Sequence, residues 1–399
     1  MPSLEESWID DPEELRWRDS RDSLRSLATA GAQVREAVTL SREAGVERVA
    51  YGERPRSVLV AALGGSSVVA DVLELLAEPG SPVPVTVRRN LPLPGWVGPL
   101  DLVIAVSLSG TADGPVAIAR EAARRGTALL TVGADDSPLA EAAHRARGVH
   151  VSVGRGRTSS RTSLWSLLTP VLLAADVLGL ADVPDAVFPQ IAARLDEQAE
   201  TCRPSSESFV NPAKLMAVQL AETVPVVLGD NPLTGVAARR AASMLARTAR
   251  MPATWGELPD AASQVVACFD GPFTAGGGQG LAGRTGMDIF ADPFLDGPAQ
   301  PSLGLLMLRD APSDPPTPEG DEAAALTDDL LATARQADVR VVESIAAPGH
   351  PVVRLAEHIA MVDFASTYLA IGLGVDPAVS PHVADLRDRR RGRGRPSAG

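Results

Sequence analysis

At 399 residues, with 45% hydrophobic side chains and a formal net charge of −13, the chain has room for two domains of ordinary size and a sizeable core. So negative a body repels nucleic acid and anionic membrane, while a small phosphorylated metabolite held in a local pocket remains compatible. The first 14 residues, MPSLEESWIDDPEE, are acidic and lack the apolar core of a secretory signal, and no run of 18 apolar residues is present to span a bilayer, so a cytoplasmic protein is expected. Along the chain, Asp11 as N-cap, Pro12 at the first helical position and Glu13 and Glu14 after it announce a helix, and the pattern stays helical to about residue 50. Short apolar strands followed by helices then take over. RSVLVAALGGSS leads into VVADVLELLA, VPVTVRR comes next, LVIAVSLSG leads into PVAIAREAARR, ALLTVG into PLAEAAHRA, and GVHVSVG closes the set. SLWSLLTPVLLAADVLGL reads as a long buried helix.

The second half repeats this texture. Asn211 and Pro212 start a helix in NPAKLMAVQLAE, and VPVVLGDNPLTG leads into VAARRAASMLARTA. PATWGEL, QVVACFD, LGLLMLR and VRVVESI read as strands, with a helix from about Glu319 to Gln336. A helix ends at Gly374, and Asp376 with Pro377 starts the last one. Strands alternating with helices of 10 to 15 residues imply parallel sheets covered on both faces, an α/β fold in two halves. The expected spans are N-terminal helices over 1–50, a first α/β unit over 51–200, and a second over 201–399 with C-terminal helices. The basic stretch RDRRRGRGRPSAG reads as a solvated tail, with a nucleic-acid or partner contact as the alternative.

Several tempting signals carry little. Gly278, Gly280 and Gly283 match G-x-G-x-x-G, yet no strand precedes them, and Pro293 and Pro298 interrupt the stretch where a helix would have to open. Asp288, Asp292 and Asp296 read as a solvated face, the five histidines show no ligand spacing, and Cys202 and Cys268 make neither a disulfide framework nor a metal site. No metal and no cofactor are expected. Two stretches stand out: ALGGSS puts Gly64, Gly65 and Ser66 between a strand and a helix, and VSLSGT puts Ser107, Ser109 and Thr111 in the same place on a later strand. Loops at the carboxyl ends of parallel strands surround the ligand crevice. Glycine lets backbone approach an anion, and the next helix offers N–H groups and a positive dipole end. Each loop alone fits an ordinary turn; two on one sheet favour an anion site. Without a Walker lysine, a nucleoside triphosphate is not expected.

These residues resemble the bifunctional phosphoglucose/phosphomannose isomerases of the sugar-isomerase (SIS) superfamily, over roughly Ser57 to Leu386. ALGGSSVVAD, VIAVSLSGTADGP, NPAKLMAVQLAETVPVVLG and ASTYLAIGLGVDPAVSPHVADLR are similar to that family's motifs in the same order and spacing. The resemblance implies two SIS-like subdomains, each a parallel sheet flanked by helices in an αβα sandwich, and a homodimer with its sites at the interface. It implies a sugar phosphate as ligand, its phosphate held by Ser66, Ser107 and Ser109, and Arg161 as the group that steadies an enediolate. The family's phosphate threonine falls at Ala112, with Thr111 next door.

Aldose–ketose isomerisation needs a base, normally a carboxylate, to move a proton between C2 and C1, and an acid/base group to open the ring. When LARTARMPATWGELPDAASQV is anchored on Pro252, Trp255, Glu257 and Pro259, the family's catalytic glutamate falls on Arg247, its ring-opening histidine on Ser263 and its C-terminal lysine on Arg387. Arginine is no base near neutral pH, since its pKa exceeds 12. Glu257 is then the candidate replacement base, with Asp260 beside it and His350, His358 or His382 able to arrive from a partner subunit. Arg247 reads as a second cation in the pocket, favouring a sugar acid or a bisphosphate, or as a surface arginine in line with Arg240 and Arg250. Two functions stay open: a phosphosugar isomerase with rearranged catalysis, and a non-catalytic hexose-phosphate sensor or partner-binding protein.

Overall fold

The computed structural model describes residues 4–274, 302–312 and 315–393, apart from the side chains of Arg387 and of 390–393. The glycine match at Gly278, Gly280 and Gly283, the acidic trio at Asp288, Asp292 and Asp296 and the Arg387 side chain therefore lie outside the described residues.

Two all-parallel sheets organise the molecule. The first contains β1 (Val58–Ala62), β2 (Val85–Arg88), β3 (Leu102–Ser107), β4 (Ala128–Gly133) and β5 (Val149–Ser152) in the order β2-β1-β3-β4-β5. The second contains β6 (Thr223–Gly229), β7 (Thr254–Glu257), β8 (Ser302–Arg309) and β9 (Arg340–Ile345) in the order β7-β6-β8-β9. The orders correspond strand for strand, so each sheet reverses direction beside its first strand, between β1 and β3 and between β6 and β8. Registers are unbroken: Val58 lies opposite both Val85 and Leu102, and Val226 opposite both Thr254 and Leu305.

Strands buried on both faces read as continuous apolar runs, and the two faces feed different cores. Leu59 and Ala61 pack under the helices Asp113–Arg124 and Pro138–Arg145, whereas Val58, Val60 and Ala62 join a central core with Leu164–Val177 and Pro351–Gly372. In the second sheet Val226, Leu228, Leu305 and Met307 meet Ala262–Cys268 and Pro318–Gln336, while Val227 and Leu306 face that same central core. One core thus serves the inner faces of both sheets.

Two ionic groups are set into this core. Arg240, on the helix Pro232–Met244, donates to Asp363 through Nε (3.1 Å) and Nη2 (2.8 Å), and also to the carbonyls of Arg161 (2.7 Å) and Gly65 (3.4 Å). It therefore ties the second half to the first sheet's loops. Lys214 is fully buried, and its ammonium donates to Asp10 (2.9 Å) and to the carbonyls of Pro204 (2.9 Å) and Ser206 (2.7 Å), 5.3 Å from the Tyr368 ring. All three of its N–H donors are used, which is what a buried ammonium requires.

Two expectations need correction. QVVACFD is not a strand; it lies within and just beyond the helix Ala262–Cys268, whose Val265 faces the second sheet. The last helix starts at Pro381, not at Asp376, because the Asp376 carboxylate accepts from the N–H groups of Ala378 (2.7 Å) and Val379 (3.1 Å) and holds a turn instead.

Candidate functional site

β1 stops at Ala62, Leu63 is extended, and Gly64 turns the chain at φ 64° into a short 3-10 turn before the helix Ser67–Ala77. That left-handed conformation suits glycine. A Cβ on Gly65 would strike the Ser160 hydroxyl, so this position also admits no side chain without movement. After β3 the chain does the same. Gly110 has φ 63°, its empty side presses on Ser137, and the helix Asp113–Arg124 follows. No side chain caps either helix by a hydrogen bond, so their leading N–H groups face the loops at the point where the strand order reverses. Ser107 is buried at the end of β3, and the exposed Ser109 and Thr111 hydroxyls lie 2.9 Å apart. Among the described residues, no protein group engages the Ser66 or Ser107 hydroxyl.

A cavity of about 430 Å³ opens on the other side of the Gly64 turn, toward β2. The first half lines it with Gly64, Gly65, Ser67, Asp71 and Arg89; the second half adds Arg239, Ser243, Arg247 and Trp255. The Arg247 guanidinium stands 3.7–3.8 Å from where a Gly64 Cβ would lie. Asp71 comes one helical turn after Ser67 and accepts hydrogen bonds from Arg89 and from Arg239 Nη1 (3.2 Å). Arg239 in turn lies 5.4 Å from the centre of the Trp255 ring, within cation–π range. Positive charge therefore exceeds negative in the wall, and the sole carboxylate among the described lining residues is already shared between two arginines.

Residues 209–389 match the family model of the bacterial phospho-glucose isomerase C-terminal SIS domain. The chain belongs to the SIS family. A bifunctional phosphoglucose/phosphomannose isomerase of Caldicellulosiruptor bescii is 25% identical over 196 residues, a match covering 49% of this chain and 57% of that relative. The chain thus matches little more than half the length of this curated relative. Solved structures share the fold at lower identity. A hypothetical protein of Thermus thermophilus aligns with TM-score 0.65 at 16% identity, over 96% of this chain and 94% of that one. A glucose-6-phosphate isomerase of Chlamydia trachomatis aligns with TM-score 0.62 at 12% identity, over 94% of this chain and 79% of that one.

Within the SIS frame the sequence-derived residues separate into groups. Gly64, Gly65 and Arg247 meet in the cavity wall, whereas Ser66, Ser107, Ser109 and Thr111 belong to the loops beside it, outside the lining. Arg161 points its guanidinium at backbone: Nη1 donates to the carbonyls of Arg247 (2.7 Å) and Pro377 (2.9 Å), and Nη2 to that of Ala378 (3.0 Å). It pins the turn after Met244 and the C-terminal segment to the first half. Glu257 is not in the cavity lining. Its carboxylate rests on Gly235, and burial, with Glu78 and Asp260 near, raises its pKa. His350 caps its own helix and lies 3.0 Å from the Asp182 carbonyl, and His358 is buried against the Arg309 carbonyl (3.1 Å). His382 and Ser263 are exposed.

Asp71, Arg89 and Arg239 escape a reading of the sequence alone. A signal exists for the first: Asp71 comes four residues after Ser67 and so shares its helix face. Arg89 and Arg239 carry none, since only the packing of the two halves brings them together. Among the described residues, no three His, Cys, Asp or Glu side chains converge as metal ligands, and no helix is long and apolar enough to cross a membrane.

Proposed function

We propose that this SIS chain binds a phosphorylated sugar around the Gly64 turn and does not isomerise it by the carboxylate route of the isomerases it resembles. One observation carries the reading: Arg247 stands at the position aligned with the catalytic glutamate, and its guanidinium lies over Gly64 at the wall of the cavity. Arginine stays protonated at any physiological pH and cannot accept the C2 proton. Asp71 is the wall carboxylate, and two arginines hold its oxygens. The uncapped helix starts and the hydroxyls of Ser107, Ser109 and Thr111 support phosphate recognition, each charge-assisted hydrogen bond contributing roughly 1.5–3 kcal/mol. Bound but unturned, a sugar phosphate would act as a signal, consistent with a sensor or a partner-binding protein.

Pure protein incubated in D₂O with glucose, mannose and fructose 6-phosphates tests this, with the C2 proton (C1 in the ketose) followed by NMR and a mock purification as control. The expected result is no exchange above the control, together with a melting temperature that the sugars raise. Exchange above the control would overturn the non-isomerising part. Melting unmoved by any of the three sugars would overturn the binding part.

A further inference from the structure

We infer that the ligand carries a second anionic group at the end opposite its phosphate, as a sugar bisphosphate or a phosphorylated sugar acid does. This rests on the phosphosugar reading above and sharpens it to a substrate class. The two sides of the Gly64 turn differ in chemistry. Toward β3 stand neutral donors: the hydroxyls of Ser107, Ser109 and Thr111 and the starts of two uncapped helices. They suit one phosphate. Toward β2 stand guanidinium groups. Asp71 balances only one of the charges of Arg89 and Arg239, so this trio carries a net positive charge before Arg247 is counted. Arg240 does not add to the surplus, because Asp363 matches it.

A neutral hydroxylated sugar end would cover these guanidiniums without replacing the water it removes, a loss with no compensating charge. An anion there would exchange water for charge-assisted hydrogen bonds, bidentate where geometry allows. The cavity, at about 430 Å³, falls in the size range of small-molecule sites and offers more room than a lone phosphate needs. Trp255 is 43% exposed, lines the same cavity and stacks with Arg239, so an apolar ring face is available to the carbon skeleton between the two charged ends.

Titration calorimetry at low ionic strength, on the full chain, decides the matter with three ligands: a hexose 6-phosphate, the hexose 1,6-bisphosphate and the 6-phosphoaldonate. Either doubly anionic ligand should bind roughly 10-fold or more tightly than the monophosphate. Which one does so tells a phosphate end from a carboxylate end. In Arg247→Gln and Arg239→Gln the preference should shrink to less than about threefold, the melting of the unliganded variants confirming that each is folded. Raising the salt should narrow the preference in the wild-type chain, a readout that needs no variant. Equal affinity for all three ligands, or a preference that survives both substitutions, would overturn the inference and leave the phosphosugar reading intact. Failure of all three to bind would overturn that reading and this inference with it.

Discussion

At the β1/β3 reversal of the first sheet, the chain turns through Gly64 and Gly110 into helices that no side chain caps. At the matching β6/β8 reversal of the second sheet, every comparable group is already taken. Asn231 and Thr234 form a reciprocal capping box on the helix Pro232–Met244. Asp230 accepts the Thr234 hydroxyl (2.8 Å) and the Asp310 N–H (3.0 Å). Asp310 is held in turn by Arg354 (2.6 and 2.9 Å) and by the Asn231 amide (3.1 Å). The topology is shared, so topology alone does not make a ligand site. The residue types that end the strands decide: small residues and hydroxyls leave donors for an outside anion, whereas two carboxylates demand an internal cation and close the crevice.

Breaking the contact that holds the two crevices in one body should have the largest effect. Asp363→Ala strands Arg240 in the core and should cost about 3–5 kcal/mol by denaturant unfolding. Acid should act next, through the second crevice. Burial pushes the His358 imidazole down to about 4, so the folded chain keeps it neutral while the unfolded chain protonates near 6.5. Its contribution is complete above pH 6.5 and is lost as the pH falls toward 4, roughly 3 kcal/mol in all. His358→Gln should flatten that part of a stability-against-pH curve. Asp310→Ala, which unseats Arg354 and Asn231, should lower stability by about 1.5–3 kcal/mol and leave ligand-induced stabilisation in place. Loss of ligand stabilisation in that variant would mean that the second crevice is also a ligand site. Ser107→Ala should do the reverse: melting of the free chain hardly changes, and sugar-phosphate affinity falls about 10-fold by calorimetry.

The first crevice is legible in the sequence because its chemistry is local. Glycines and hydroxyls sit within a few residues of an apolar strand, as in LVIAVSLSGT, and the strand–loop–helix grammar fixes where they go. The helix cap at Asp11 with Pro12 is equally plain: its carboxylate accepts from Glu13 and Glu14 N–H. QVVACFD misleads because a short apolar run has the same appearance in a strand and in a buried helix face. Asp376 and Pro377 carry helix-start chemistry, yet the aspartate serves a turn whose carbonyls receive Arg161. The cavity itself is hidden for a related reason. Asp71 and Arg239 are separated by 168 positions, and nothing local to either announces the other.

Lys214 is the chain's one lysine, and it is sealed against Asp10 and Tyr368. The folded surface therefore presents no ε-amine: its positive charge is carried by arginine, which acylating reagents leave alone. Such a reagent reaches Lys214 only when the helix Pro212–Leu220 comes away from its neighbours. The rate at which this one amine is modified would accordingly clock the opening of the core where the N-terminal helices meet the second half, with no probe introduced.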